Sequence, residues 1–123
     1  MREIKKISMK DPYIYMLCRL AELNDKLDSV KEYGEAVWKH RADLINLDMK
    51  LFEELKELFE KAYQLRMRKY DFENRIRIEG TNIMMFVEHP EHVMRQIDET
   101  LREAEEIEKR LRELLTIAKI ITE

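Results

Sequence analysis

Apolar residues recur every three or four positions along most of this chain, the spacing of one face of an α-helix. The first such run follows Asp11-Pro12 and carries Leu17, Leu20, Leu23, Leu27 and Val30 before Tyr33-Gly34. An aspartate can accept from the orphan amides of a first turn, and proline at the first helical position sacrifices no hydrogen bond. That dipeptide therefore marks a helix start. The rhythm resumes through Val37, Leu44, Leu51, Leu55, Leu58, Ala62 and Leu65. Carried in phase from Leu20, the seam would fall on Gly34, Arg41 and Asp48, three poor core residues in succession. The helix is expected to break or change partner between 34 and 48. Gly34, at about 1 kcal/mol inside a helix, is the expected break, the alternative being one helix of about fifty or more residues that tolerates it. A third run follows His89-Pro90, with Met94, Ile97, Leu101, Ala104, Leu111, Leu115 and Ala118 in phase, and Glu108 its one gap. Ile107, Leu114 and Ile121 widen this stripe, so it should face two or more neighbours.

The period changes once. Arg75-Ile76-Arg77-Ile78 alternates, Glu79-Gly80-Thr81-Asn82 has turn composition, and Ile83 to Val87 is apolar. Gly80 suits the first central position of a two-residue type II′ turn. Pairing Ile78 with Ile83 and Ile76 with Met85 would put all four on one face. The predicted fold is mainly α: an antiparallel, coiled-coil-like bundle of three long helices over about 12–33, 35–71 and 90–122. A short β-hairpin (75–78/83–87) is the preferred reading at one end, its alternative a helix that runs to Glu79, stops at Gly80 and restarts. Residues 1–123 should form a single helical domain, with 1–10 a flexible or extended N-terminal arm.

The arms at 35–71 and 90–122 are matched in length, each reaching about 50 Å at 1.5 Å per residue. Two matched arms joined through β-structure, over about 35–122, resemble the plan of a prefoldin subunit. The resemblance implies a holdase chaperone subunit of a hetero-hexamer that grips unfolded chains at its coil tips. It transfers no functional residue, and the helix-forming segment at 12–33 departs from that plan.

Composition narrows the class. With 40% charged and 45% hydrophobic residues, the chain is too charged for a membrane protein and too apolar for a disordered one. Two Gly, 2 Pro, 2 Ser and 2 Gln leave little material for loops. Abundant Glu, Lys, Arg and Ile with little Gln and Gly gives a thermophile-like composition. The start, MREIKKISMKD, has no apolar signal region, and no run nears the roughly 18–20 apolar residues a bilayer span needs. The lone Cys18 cannot form an internal disulfide, which suits a reducing, cytoplasmic location.

The Glu-x-x-His of di-iron bundles is absent, since Val37, Phe86 and His89 precede the three histidines by three residues. His89 and His92 with Glu88 and Glu91 read as a helix cap and first-turn acids, without the further ligands a metal needs. Cys18, among Met16, Leu17 and Leu20, reads as a buried inert thiol. Glu103, Glu105, Glu106 and Glu108 read as a solvated helix face. No catalytic residue, metal, cofactor or small-molecule substrate is indicated, and the chain is expected not to be an enzyme.

The net charge is −3, which disfavours nucleic acid as a default partner. One local cluster, Arg66, Arg68, Lys69, Arg75 and Arg77 with Tyr70 and Phe72 interleaved, is the exception and makes a basic tip around 66–77 an alternative nucleic-acid site. The favoured function is protein–protein association or assembly, as a homo-oligomer or part of a larger complex. The expected partner-binding seam is Leu51, Leu55, Leu58, Ala62 and Leu65 with Met94, Ile97, Leu101, Leu111 and Leu115. Trp38, Phe52, Phe59, Tyr63, Tyr70 and Phe86 lie outside the seams and add apolar surface that association would cover.

Overall fold

A computed structural model describes residues 12–81 and 90–122, with side chains at 14–74 and 91–119. The described residues form a helical bundle: α1 (Pro12–Lys39), a short α2 (Arg41–Leu47), α3 (Met49–Thr81) and α4 (Pro90–Thr122). Both prolines open helices, as their place in the sequence predicts. The N-terminal arm, 1–10, lies outside the described residues.

Cross-helix contacts give the directions. Arg19 meets Asp98 at 2.7 Å and Lys26 meets Glu108 at 3.4 Å, so α1 and α4 advance together and are parallel. Arg68 pairs with Glu103 and Glu54 with Arg110, so α3 runs against α4. The three long helices alternate up, down and up. One continuous core fills the space between them, from Met16, Leu20, Leu23, Leu27, Val30 and Val37 of α1 to Leu55, Leu58, Ala62, Leu65 and Phe72 of α3. Val93, Ile97, Leu101, Ala104, Ile107, Leu111, Leu114 and Ala118 of α4 complete it, with Leu44 of α2 at one end. The wide stripe on α4 does serve two long neighbours, α1 and α3.

Several expectations need correction. Gly34 does not end the first helix. α1 runs unbroken to Lys39 because Gly34 is where the Phe59 ring of α3 packs: a Cβ there would stand 2.7 Å from Phe59 Cε1. The chain breaks instead at His40 and at Asp48. Asp48 adopts an extended backbone (φ −163°, ψ 115°), and its Oδ1 accepts from the Lys50 amide at 3.0 Å. It is a capping residue and not a failed core residue. On α1 the buried residue is Met16, while Leu17 and Cys18 are exposed. Residues 75–78, the expected first strand, continue α3 as helix to Thr81. Ile76 follows Phe72 by four, so the helical spacing persists through the alternation. The expected second strand, 83–87, lies outside the described residues.

Glu108 also departs from expectation. It is 6% exposed, inside the α1–α4 contact, and not on a solvated face. Burial alone would push its carboxyl up. Hydrogen bonds from Ser29 and Lys26, with the charges of Lys26 and Arg112, outweigh that and hold it below the ordinary value. The hydrogen bonds from Arg110 lower Glu54 likewise, against its own desolvation. A carboxyl depressed in the fold contributes stability that is complete above about pH 4.5 and is lost as pH falls through the folded-state value. Thermal melts should therefore show a fall in Tm between about pH 5 and pH 3. The double variant Glu54→Gln with Glu108→Gln should start lower at pH 7 and lose less across that window. An equal acid loss in both proteins would remove these two carboxylates as its source.

Candidate interaction surface

The ten seam residues expected to meet a partner meet each other. Leu55, Leu58, Ala62, Leu65, Ile97, Leu101 and Leu111 are buried within the chain's own core, and Leu51, Met94 and Leu115 are half-buried against it. A surface for a second molecule must be built from other residues.

The second face of α3 supplies them. Tyr63, Met67 and Tyr70 are 59%, 50% and 49% exposed and follow one another at spacings of four and three, on one stripe of the helix. Up the same stripe lie Phe59 and Phe52, half-buried under the Trp38 ring of α1 with centroids 5.8 Å and 6.0 Å away. Trp38 itself is capped from outside by Arg41, whose guanidinium carbon sits 4.5 Å from the ring centroid. Down the stripe, Tyr70 joins Leu17, Leu20 and Ala21 of α1 around an open groove of about 680 Å³. Ile14, Tyr15 and Leu17 extend exposed apolar surface along the start of α1. A second exposed group, Ile45, Leu47 and Met49, lies at the α2–α3 corner.

So α3 carries two apolar stripes. The first turns inward to α1 and α4, and the second runs along the α1–α3 border, open to solvent beyond Phe59. Tyr63 and Tyr70 were visible in the sequence as surplus apolar residues. Met67 was not, although its place between them at helical spacing was the available signal.

No protein-family model, curated protein or solved structure matches this chain. Its surfaces must speak for themselves.

Two of the five residues of the basic cluster are answered within the chain. Arg68 pairs with Glu103 of α4. Lys69 donates to Asn24 Oδ1 at 2.7 Å, pairs with Glu73 at 3.3 Å, and stacks on Tyr70 at 4.6 Å. Arg66 is half-buried, and the side chains of Arg75 and Arg77 lie outside those described. The groove beside Arg68, between α3 and α4, is edged by Asp71, Glu99, Glu103 and Glu106 against Arg68 and Arg102. An acidic excess there repels a phosphate backbone. Among the described residues no group of three or more His, Cys, Asp or Glu could hold a metal. His92 is exposed and lies 3.3 Å from Gln96, while His89 is outside the described residues. No helix among the described residues is long and apolar enough to cross a membrane.

Proposed function

We propose that this chain is a non-enzymatic association subunit, working through the outer stripe of α3 and the adjoining start of α1. The observation that carries this reading is the run Tyr63, Met67 and Tyr70, each about half exposed on one face. Tyrosine and methionine are enriched where proteins meet, since each offers a large adaptable apolar body at modest entropic cost. The chain's own core leaves them uncovered. The helices act as a coiled-coil-like rod that presents this stripe. The 3–4 spacing of core residues on each long helix supports that geometry, and the mixed charges elsewhere keep the rod dissolved.

Association through this face should survive salt. Affinity measured from about 0.05 to 0.5 M NaCl should fall by no more than about tenfold, the screening of a few rim charges, and Tyr63→Asp should weaken it by about 30-fold or more, the loss of one central anchor. Binding of DNA or RNA through Arg66 and its neighbours would instead fall steeply across that range. A protein whose only measurable binding is to nucleic acid, with a steep salt slope unaffected by Tyr63→Asp, would overturn the proposal.

A further inference from the structure

The charges of α3 point to a partner for the outer stripe. Residues 53–60 hold Glu53, Glu54, Glu57 and Glu60 against Lys56, a net charge of −3. Residues 61–70 hold Lys61, Arg66, Arg68 and Lys69 with no acid, a net charge of +4. Some of these are neutralised inside the chain: Glu54 by Arg110, Arg68 by Glu103 and Lys69 by Glu73. The remainder keeps the same asymmetry. Glu53, Glu57 and Glu60 have no ion pair among the described residues, and neither does Arg66.

A helix that is acidic in one half and basic in the other complements itself when reversed. The changeover falls beside Tyr63, the most exposed large apolar residue of the described chain. Tyr63 is also midway along the stripe from Phe52 to Asn74. A two-fold axis at Tyr63 would set Phe59 level with the second copy's Met67. It would set Lys56 level with Tyr70 and Glu60 level with Arg66. At the centre of the contact apolar residues then face apolar residues or a cation, and Glu57 and Glu60 come level with Lys69 and Arg66, while at its ends Phe52 comes level with Asn74 and Glu53 with Glu73. Parallel self-pairing would oppose like halves. We infer that the occupant of the outer stripe is a second copy of this chain, its α3 antiparallel to the first and centred on Tyr63. This contact is isologous, so it closes at two chains and leaves no second stripe to propagate. It rests on the association reading above and names its partner.

The test combines mass with cross-linking, in the full chain. Light scattering or sedimentation at 1–100 µM should give about twice the 15.1 kDa chain mass. Tyr63→Asp should shift the dimer dissociation constant up by about 30-fold or more with the helical circular dichroism unchanged, because the site is exposed. In a Cys18→Ser background, Tyr63→Cys should oxidise to a disulfide-linked dimer. Tyr70→Cys should not, because reversal sets its copies fourteen residues apart along the pair, about 21 Å, beyond disulfide reach. A monomer at 100 µM overturns the inference, as does a dimer indifferent to Tyr63→Asp. Equal cross-linking at Tyr63→Cys and Tyr70→Cys overturns the antiparallel arrangement. A monomer that binds a different protein through Tyr63 removes the second copy and leaves the association reading standing. A monomer for which Tyr63→Asp alters no binding removes both.

Discussion

Leu55→Asp is expected to unfold the protein, or to leave it within about 1–2 kcal/mol of unfolding at 25 °C. Leu55 is 0% exposed, at the point where α3 packs into the shared core. Removing the leucine body costs about 2–5 kcal/mol by lost transfer energy and residual cavity. A carboxylate left there without a partner adds several kcal/mol, or protonates to avoid it. Domains of this size have about 5–15 kcal/mol in total, so little stability remains. One turn along, Leu58→Asp should be milder. Leu58 is 7% exposed and edges the α3–α4 groove beside Lys61 and Arg68, so a carboxylate there can reach water and cations. Urea denaturation followed by circular dichroism ranks the two variants. If Leu55→Asp melts within 1 kcal/mol of wild type, or Leu58→Asp is the worse of the pair, the packing described for α3 is wrong.

That ranking also shows what periodicity could and could not reveal. Proline-led starts and spacing together found the start of α1 at Pro12 and the whole of α4. Spacing placed Leu55, Leu58, Ala62 and Leu65 on one inward face, but assigned that face to another molecule. The error is physical. A stripe records that something apolar covers it and says nothing about which chain supplies the cover. The same limit explains Met16 and Leu17, adjacent apolar residues of which α1 buries only Met16, the choice resting on how α1 is rotated against its neighbours. Glu108 was misread because a lone charge in a stripe looks like a gap. Its answering groups, Lys26 and Ser29, lie about eighty positions away, and only the fold brings them near. Asp48 was legible in principle. An aspartate two residues before Lys50 and three before Leu51 has the pattern of an N-cap, and phase-counting hid it. The alternation at 75–78 was too short to outweigh a helix already running from Met49, since each added residue costs far less than a new nucleus.

Gly34→Ala should destabilise the protein by up to about 2 kcal/mol, although alanine is the better helix former. Helix propensity alone predicts a gain of about 1 kcal/mol at an interior helical glycine. Here the new methyl would stand 2.7 Å from Phe59 Cε1, closer than carbon atoms approach. The ring cannot simply swing aside, because Trp38 lies 5.8 Å from it on one flank and Gly34 itself is buried. Overpacking of this kind costs about 1–3 kcal/mol, enough to cancel the propensity gain and reverse its sign. The diagnostic result is the double variant. Phe59→Leu alone should lose stability, since it empties part of the space under Trp38. In that background Gly34→Ala should turn from harmful to neutral or stabilising, a coupling of about 1–2 kcal/mol between positions 34 and 59. The four proteins form one cycle, measured by urea midpoint at constant m-value. An additive cycle, in which the alanine costs the same with and without the ring, would show that Gly34 is kept for some reason other than Phe59. A stabilised Gly34→Ala in the wild-type background would show that α1 and α3 lie farther apart than this packing requires.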